Sequence, residues 1–350
     1  MKTGLTRRTL MAGAVAATGW IVLSGAALAQ EVTLRLHQFL PPQANVPAHI
    51  LDPWADRVEA ASGGRIKIER FAAMALGGTP PQLIDQATDG VVDIVWTLPG
   101  STPGRFPRTE VFELPFMLTN AEATSRAYWD MFEKHMKDTE FGGLHILGAW
   151  VHGPGLIHSK EPVNELGDLQ GMKIRAPTRI INALLDQLGA TPVGMPVPQV
   201  TESLSKGVID GAVIPWEVTG ALKVPELVSN HTGFGGDHAL YTTTFVLAMN
   251  KDRYEGLPDD LKKVIDDNSG QAFSALAGAT MQEYDAPGRE MAEKRGNTII
   301  ELSPQQVEAW KSAAQPVIDN WVAEMTAKGI DGQALLDEAR MLIDKYSKAQ

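Results

Sequence analysis

The sequence predicts an α/β protein with two sheet-forming halves and a long helical C-terminal portion. Three observations carry this. Runs of strand length alternate with helix-period segments through the first two thirds of the chain. Gly and Pro clusters punctuate them. From Pro258 onward the pattern is mostly helical. At 350 residues the chain suits two domains or one large one.

Residues 1–29 read as an export signal. Lys2, Arg7 and Arg8 form a basic start, an Ala/Gly-rich apolar stretch follows, and Ala27-Leu28-Ala29 is a cleavage site. Arg7-Arg8 within Thr6-Arg7-Arg8-Thr9-Leu10-Met11 resembles a twin-arginine signal. The mature chain is expected in a periplasm, with no stable membrane insertion.

Elements then follow in order. Residues 32–36 alternate as a strand, and Pro41-Pro42 breaks it. Residues 47–61 place Ile50, Trp54, Val58 and Ala61 on one helical face, and Ser62-Gly63-Gly64 stops the helix. A second strand spans 65–69, a helix 80–89, and an apolar run over 91–96 reads as a strand covered on both faces. This β-α-β-α-β order predicts a sheet flanked by helices. Strands are expected again at 144–147, 156–158, 172–175, 213–214 and 243–249, with helices at 180–188 and around 200–208. Gly153-Pro154-Gly155 is placed to carry the chain from one half to the other. Ser303-Pro304-Gln305-Gln306 reads as a capped helix start, and Pro316 predicts a kink. Two lobes joined by strands leave a cleft, where small ligands bind.

Composition narrows the chemistry. A formal charge of −11 disfavours nucleic acid and anionic membranes. The absence of cysteine excludes disulfides, thiolate metal sites and cysteine nucleophiles. No zinc-protease, phosphate-loop or nucleophile-elbow motif occurs, and no cofactor is expected.

The segment Gly171-Met172-Lys173-Ile174-Arg175-Ala176-Pro177, followed by Leu188-Gly189-Ala190-Thr191-Pro192, Met195, Leu204 and Gly207-Val208-Ile209-Asp210-Gly211, resembles the TRAP-transporter substrate-binding proteins of the DctP type. Ser62-Gly63-Gly64-Arg65-Ile66, Leu76-Gly77, Asp89-Gly90-Val91-Val92-Asp93 and Glu113-Leu114-Pro115-Phe116 fit the same pattern, so the resemblance covers the mature chain. It implies a two-lobe periplasmic binding protein fold, each lobe a mixed β-sheet flanked by helices. Lobe I would comprise 30–152 and about 239–280, and lobe II 153–238 and about 281–350. It further implies a receptor that captures an organic acid and delivers it to small and large integral-membrane TRAP subunits.

Arg175 matches the arginine that, in this family, pairs with the ligand carboxylate. A guanidinium offers a carboxylate two parallel hydrogen bonds. Where many members carry a second arginine, 20 residues earlier, this chain has Gly155; where an amide is common it has Ile214. Phe39, Trp96, Trp150 and Trp216 lie near cleft-lining segments, and His152, His238 and Tyr241 are candidates to bond a ligand oxygen. One arginine among aromatic faces suits an aromatic or apolar monocarboxylate. A receptor for C4-dicarboxylates or 2-oxo acids, an exported hydrolase and a ligand sensor are the alternatives. No metal is expected; Glu217 is the one oxygen ligand singled out for Ca²⁺ or Na⁺.

Overall fold

A computed structural model describes residues 31–349. The export signal read over residues 1–29 lies outside them. The first sheet has strand order β2-β1-β3-β10-β4. Its strands are β1 (Val32–His37), β2 (Ile66–Phe71), β3 (Ile94–Thr97), β4 (Leu144–Val151) and β10 (Thr244–Asn250). β1 runs parallel to β2 and β3, with Leu34 opposite Ile68, while β10 is antiparallel to β3 and β4. Parallel neighbours need a crossover. Between β1 and β2 it is the helix Asp52–Ala61, which buries Trp54, Ala55 and Val58. Each large apolar side chain so buried contributes about 1.5–3 kcal/mol. Gly64 ends this crossover at φ +82°, a left-handed conformation costly for other residues.

The second sheet has order β11-β9-β5-β8-β6-β7. Its strands are β5 (Gly155–Ser159), β6 (Lys173–Ala176), β7 (Thr191–Gly194), β8 (Gly211–Pro215), β9 (Asn230–Phe234) and β11 (Thr298–Leu302). β4 leads into β5 through 152–154, and β9 returns to β10 through 235–243. The two sheets, each flanked by helices, form the two lobes.

Several expectations shift. The third strand begins at Ile94, not at Val91. Val91 is 54% exposed, and Asp93 turns its carboxylate onto the Arg35 N–H at 2.7 Å. β7, β9 and β11 are additional strands. β11 interrupts the helical C-terminal portion because it extends the second sheet parallel to β9. The helix Pro304–Ala327 starts on the expected Ser303–Gln306 capping box and runs through Pro316 as one 24-residue element.

The last helix, Gly332–Ser347, packs on the helix Ala121–Met131 beside the first sheet and also meets the helix Pro304–Ala327. Leu335, Leu336, Ala339, Leu342 and Ile343 form its buried stripe. Tyr346 donates to Asp130 at 2.6 Å, and Glu338 takes Lys134 and His135 at 2.6 and 2.8 Å. An apolar stripe seeks the nearest uncovered apolar face, whichever lobe supplies it. No helix among the described residues is long and apolar enough to cross a membrane.

Candidate ligand-binding site

Strand ends from both sheets converge on a cavity of about 570 Å³, its open mouth included. Phe39, Trp96, Tyr241 and Phe245 approach from the first-sheet side, and Arg175, Ile214 and Glu217 from the second. The wall is mostly apolar, as small-molecule sites are.

Arg175 is the central cation. In β6, Ile174 and Ala176 are fully buried, so the alternation turns Arg175 to the opposite face. Pro177 then stops the strand. Arg175 is 3% exposed. Its Nε donates to the Met195 carbonyl at 3.0 Å and its Nη1 to the Val213 carbonyl at 3.2 Å. These bonds fix the guanidinium and leave hydrogens on Nη1 and Nη2 for another acceptor. No carboxylate among the described residues pairs with it. Burial pulls its pKa down to about 10, so it stays charged. A buried cation without a counter-ion is costly, and a ligand carboxylate removes that cost.

Four residues on, at the start of the helix Arg179–Gln187, Arg179 is built differently. Its Nε and Nη2 fork onto Glu110, and its Nη1 reaches Glu324 at 2.8 Å. Trp321 also donates to Glu110, at 3.2 Å. Burial opposes the charge on Arg179, but these two carboxylates hold it above the ordinary guanidinium range.

An aromatic stack forms the facing wall. Phe39 lies on Trp96 with centroids 4.5 Å apart and planes 15° apart, and Phe245 also stacks on Trp96, at 5.2 Å and 19°. Tyr241 meets His152 edge-on at 5.4 Å. Its hydroxyl is pushed up by burial and pulled down by Arg175. His152 lines the cavity but has no free ring nitrogen. Nδ1 donates to the Gly153 carbonyl at 2.5 Å, and Nε2 accepts the Thr243 N–H at 3.1 Å. Burial, then Arg175, lowers its pKa to about 4, so it is neutral. Both His152 nitrogens are thus engaged within the fold, and it is the ring that lines the cavity.

Four other candidates lie elsewhere. Trp150 is behind the wall, its Nε1–H on the Met281 sulfur at 3.3 Å and its ring edge-on to Phe273. Phe245, which pairs with it across β10 and β4, takes the cavity position instead. Trp216 points into a separate groove beside Pro154 and Asp285, and it packs on His158 and His231. Successive helical residues diverge by about 100°, so Glu217 faces the cavity while Trp216 does not. His238 sits near Lys311 and Arg340, away from the cavity. At Gly155 an added Cβ would come within 2.1 Å of the Tyr241 ring. Tyr241 thus occupies the space into which a side chain at 155 would project.

Glu217 is pushed up to about 8 by burial and by Asp285, which accepts the Glu217 N–H at 2.9 Å. Among the described residues no three His, Asp or Glu side chains converge as a metal site. Phe245, Val197, Ser101 and Met281 were not singled out from the sequence. Phe245 lies near the start of a strand that the sequence does reveal; Met281 lies in the last turn of the helix Gly270–Glu283 and carries no local signal.

Residues 39–325 match the bacterial extracellular solute-binding protein family 7. A TRAP solute-binding protein from Rhodoferax ferrireducens, solved with copurified benzoate, is 50% identical over 91% of this chain and 99% of its own, with TM-score 0.89. A marine metagenome TRAP solute-binding protein specific for aromatic acid ligands, solved with 3-hydroxybenzoate, is 47% identical over 91% and 99%, with TM-score 0.88. One from Bordetella bronchiseptica, with bound (R)- and (S)-mandelate, is 31% identical over 89% and 99%, with TM-score 0.82. A buried, unpaired arginine in a cleft between two lobes, on a chain of this sequence and shape, makes the protein a member of the bacterial extracellular solute-binding protein family 7, the substrate-binding proteins of TRAP transporters.

Proposed function

We propose that this protein captures an aromatic monocarboxylate and delivers it to the small and large membrane subunits of a TRAP transporter. One observation carries the reading. Arg175 is buried without a carboxylate partner and shares its cavity with the Phe39–Trp96–Phe245 stack. The cation binds the ligand carboxylate through a two-bond fork. The stacked rings offer an aromatic ligand about 0.5–1.5 kcal/mol beyond simple area burial. Benzoate, 3-hydroxybenzoate and mandelate in the three relatives support the ligand class. A second carboxylate would meet no second arginine, because Tyr241 fills the space beside Gly155. The segments 152–154 and 235–243 serve as hinges on which the lobes close over the ligand. Export runs by the twin-arginine route, on the strength of Arg7-Arg8 and Ala27-Leu28-Ala29.

A thermal-shift panel tests the ligand class. An acid at about 100 times its Kd stabilises the fold by about 2.7 kcal/mol, a shift of several degrees for a chain of this size. Benzoate, hydroxybenzoates, phenylacetate and mandelate are expected to exceed succinate, malate and sugar acids. Larger shifts with C4-dicarboxylates overturn the aromatic assignment.

A further inference from the structure

Tyr241 lies in the segment that returns from β9 to β10, and that segment is fastened to the one that leaves β4. The Gly155 N–H donates to the Tyr241 carbonyl at 3.0 Å, the Thr242 hydroxyl to the His152 carbonyl at 2.8 Å and the Thr243 N–H to His152 Nε2 at 3.1 Å. The ring is held as closely as the backbone. His152 meets it edge-on, and a Cβ added at Gly155 would come within 2.1 to 2.5 Å of three of its carbons. In a packed interior a residue larger than glycine at 155 would have to displace the ring.

The hydroxyl that this ring carries has no use inside the fold. Tyr241 is 1% exposed and lines the cavity together with Arg175, and its hydroxyl makes no hydrogen bond among the described residues. Burial raises its pKa, the Arg175 charge pulls it back, and Glu113 adds to the rise. The phenol therefore stays protonated, as a donor within the field of the guanidinium. Arg175 is fixed in turn by the Met195 and Val213 carbonyls. One charged donor and one neutral donor are thus held in place together, from two segments of the chain.

We propose that the Tyr241 hydroxyl donates to the same ligand carboxylate that Arg175 binds, and that Gly155 is the positioning residue that keeps the ring in place to do so. A carboxylate offers about four lone-pair sites; the guanidinium fork takes two and the phenol a third. The added bond acts on the acid group, so it serves every acid that Arg175 holds, whatever its ring carries. The assignment rests on the carboxylate reading above and deepens it from one protein donor group to two.

Calorimetric titration with benzoate, 3-hydroxybenzoate and mandelate tests it on the wild type, Tyr241→Phe and Gly155→Ala, with infrared spectra of bound benzoate isotope-labelled at its carboxyl carbon. Tyr241→Phe deletes one oxygen and keeps the ring. It is expected to bind all three acids about 10- to 100-fold more weakly, the scale of a hydrogen bond to a charged group. Its unliganded melting temperature is expected to stay that of the wild type, and the carboxylate stretch of bound benzoate to move. Gly155→Ala is expected to lose at least as much affinity, because the ring must shift; Tyr241→Phe decides the matter if Gly155→Ala does not fold. Affinity in Tyr241→Phe within about threefold of wild type overturns the proposal. So does a loss with an unmoved carboxylate band, which makes the tyrosine a packing element, or a loss confined to the two hydroxylated acids. Wild-type affinity in Gly155→Ala overturns the positioning role. Wild type that binds none of the three acids overturns the aromatic-acid reading as well.

Discussion

Arg175 and Arg179 stand four residues apart, yet the fold treats them as opposites. Arg179 has its own counter-ions, Glu110 and Glu324, and its charge is reinforced. Arg175 has only backbone carbonyls, and burial weakens its hold on its proton. The first has its counter-ions within the fold; the second has none there. Charge and residue type are the same, so the difference lies in whether an acid is already present. Glu113, three residues from Glu110, repeats the contrast with the sign reversed. It is fully buried, takes the Thr244 N–H and hydroxyl on Oε1, and has Thr178 but no cation beside it. Burial pushes it up to about 7.

The contrast is broken most forcefully at Arg175. Arg175→Met is expected to abolish binding of aromatic acids, at a cost of about 3–5 kcal/mol, because the ligand carboxylate would be buried without a partner. The melting temperature of the unliganded variant should not fall, since no internal ion pair is lost. Arg175→Lys should also bind poorly, because an ammonium cannot make the fork. Titration and a melting curve on each variant check this; wild-type affinity in Arg175→Met would remove the assignment.

Arg179→Met should show the reverse pattern. Glu110, 3% exposed, loses its cation, and stability should drop by about 1–3 kcal/mol in urea denaturation. Benzoate affinity per folded molecule should change little. A variant with intact stability and lost binding would mean that the two arginines share one role.

The smallest expected effect is at Glu113 and depends on pH. Its carboxyl titrates near 7 in the folded protein and near 4.5 when unfolded. The folded state therefore holds the proton more tightly. The stability associated with the neutral acid is complete below about pH 4.5 and is lost as pH rises through 7. Glu113→Gln should gain on wild type between pH 5 and pH 8, by a fraction of the linkage limit of about 1.4 kcal/mol per pKa unit. Denaturation midpoints of both proteins at the two pH values measure it. Parallel behaviour of the two would place the charge elsewhere.

Much of the architecture is legible in the chain itself. The alternation in β1 and β2, the helix stop at Ser62-Gly63-Gly64 and the capping box at Ser303 are local, and local chemistry decides them. Arg175 is legible for the same reason: it precedes Ala176-Pro177 at a strand end, within a segment that resembles a known family. β11 is less so, because Thr298–Leu302 becomes a strand only when β9 lies beside it.

What lines the cavity is another matter. Nothing local distinguishes Trp216 from Glu217, or Trp150 from Phe245, yet only one of each pair lines the cavity. His152 is in the right place, but Gly153 and Thr243 take both its nitrogens, and Thr243 comes from a segment about 90 residues away. The last helix carries an apolar stripe that any apolar face could cover, and the fold gives it to the helix Ala121–Met131. The sequence by itself determined most of the local elements and the order of the two sheets along the chain, because these follow from neighbours a few residues apart, and its resemblance to a family singled out Arg175 as a candidate to hold a carboxylate. Only the tertiary structure decided which side chains face the cavity and which polar groups there are already taken. Those outcomes depend on close packing between segments distant in sequence, where each buried donor or acceptor is taken by whatever group lies nearest in space.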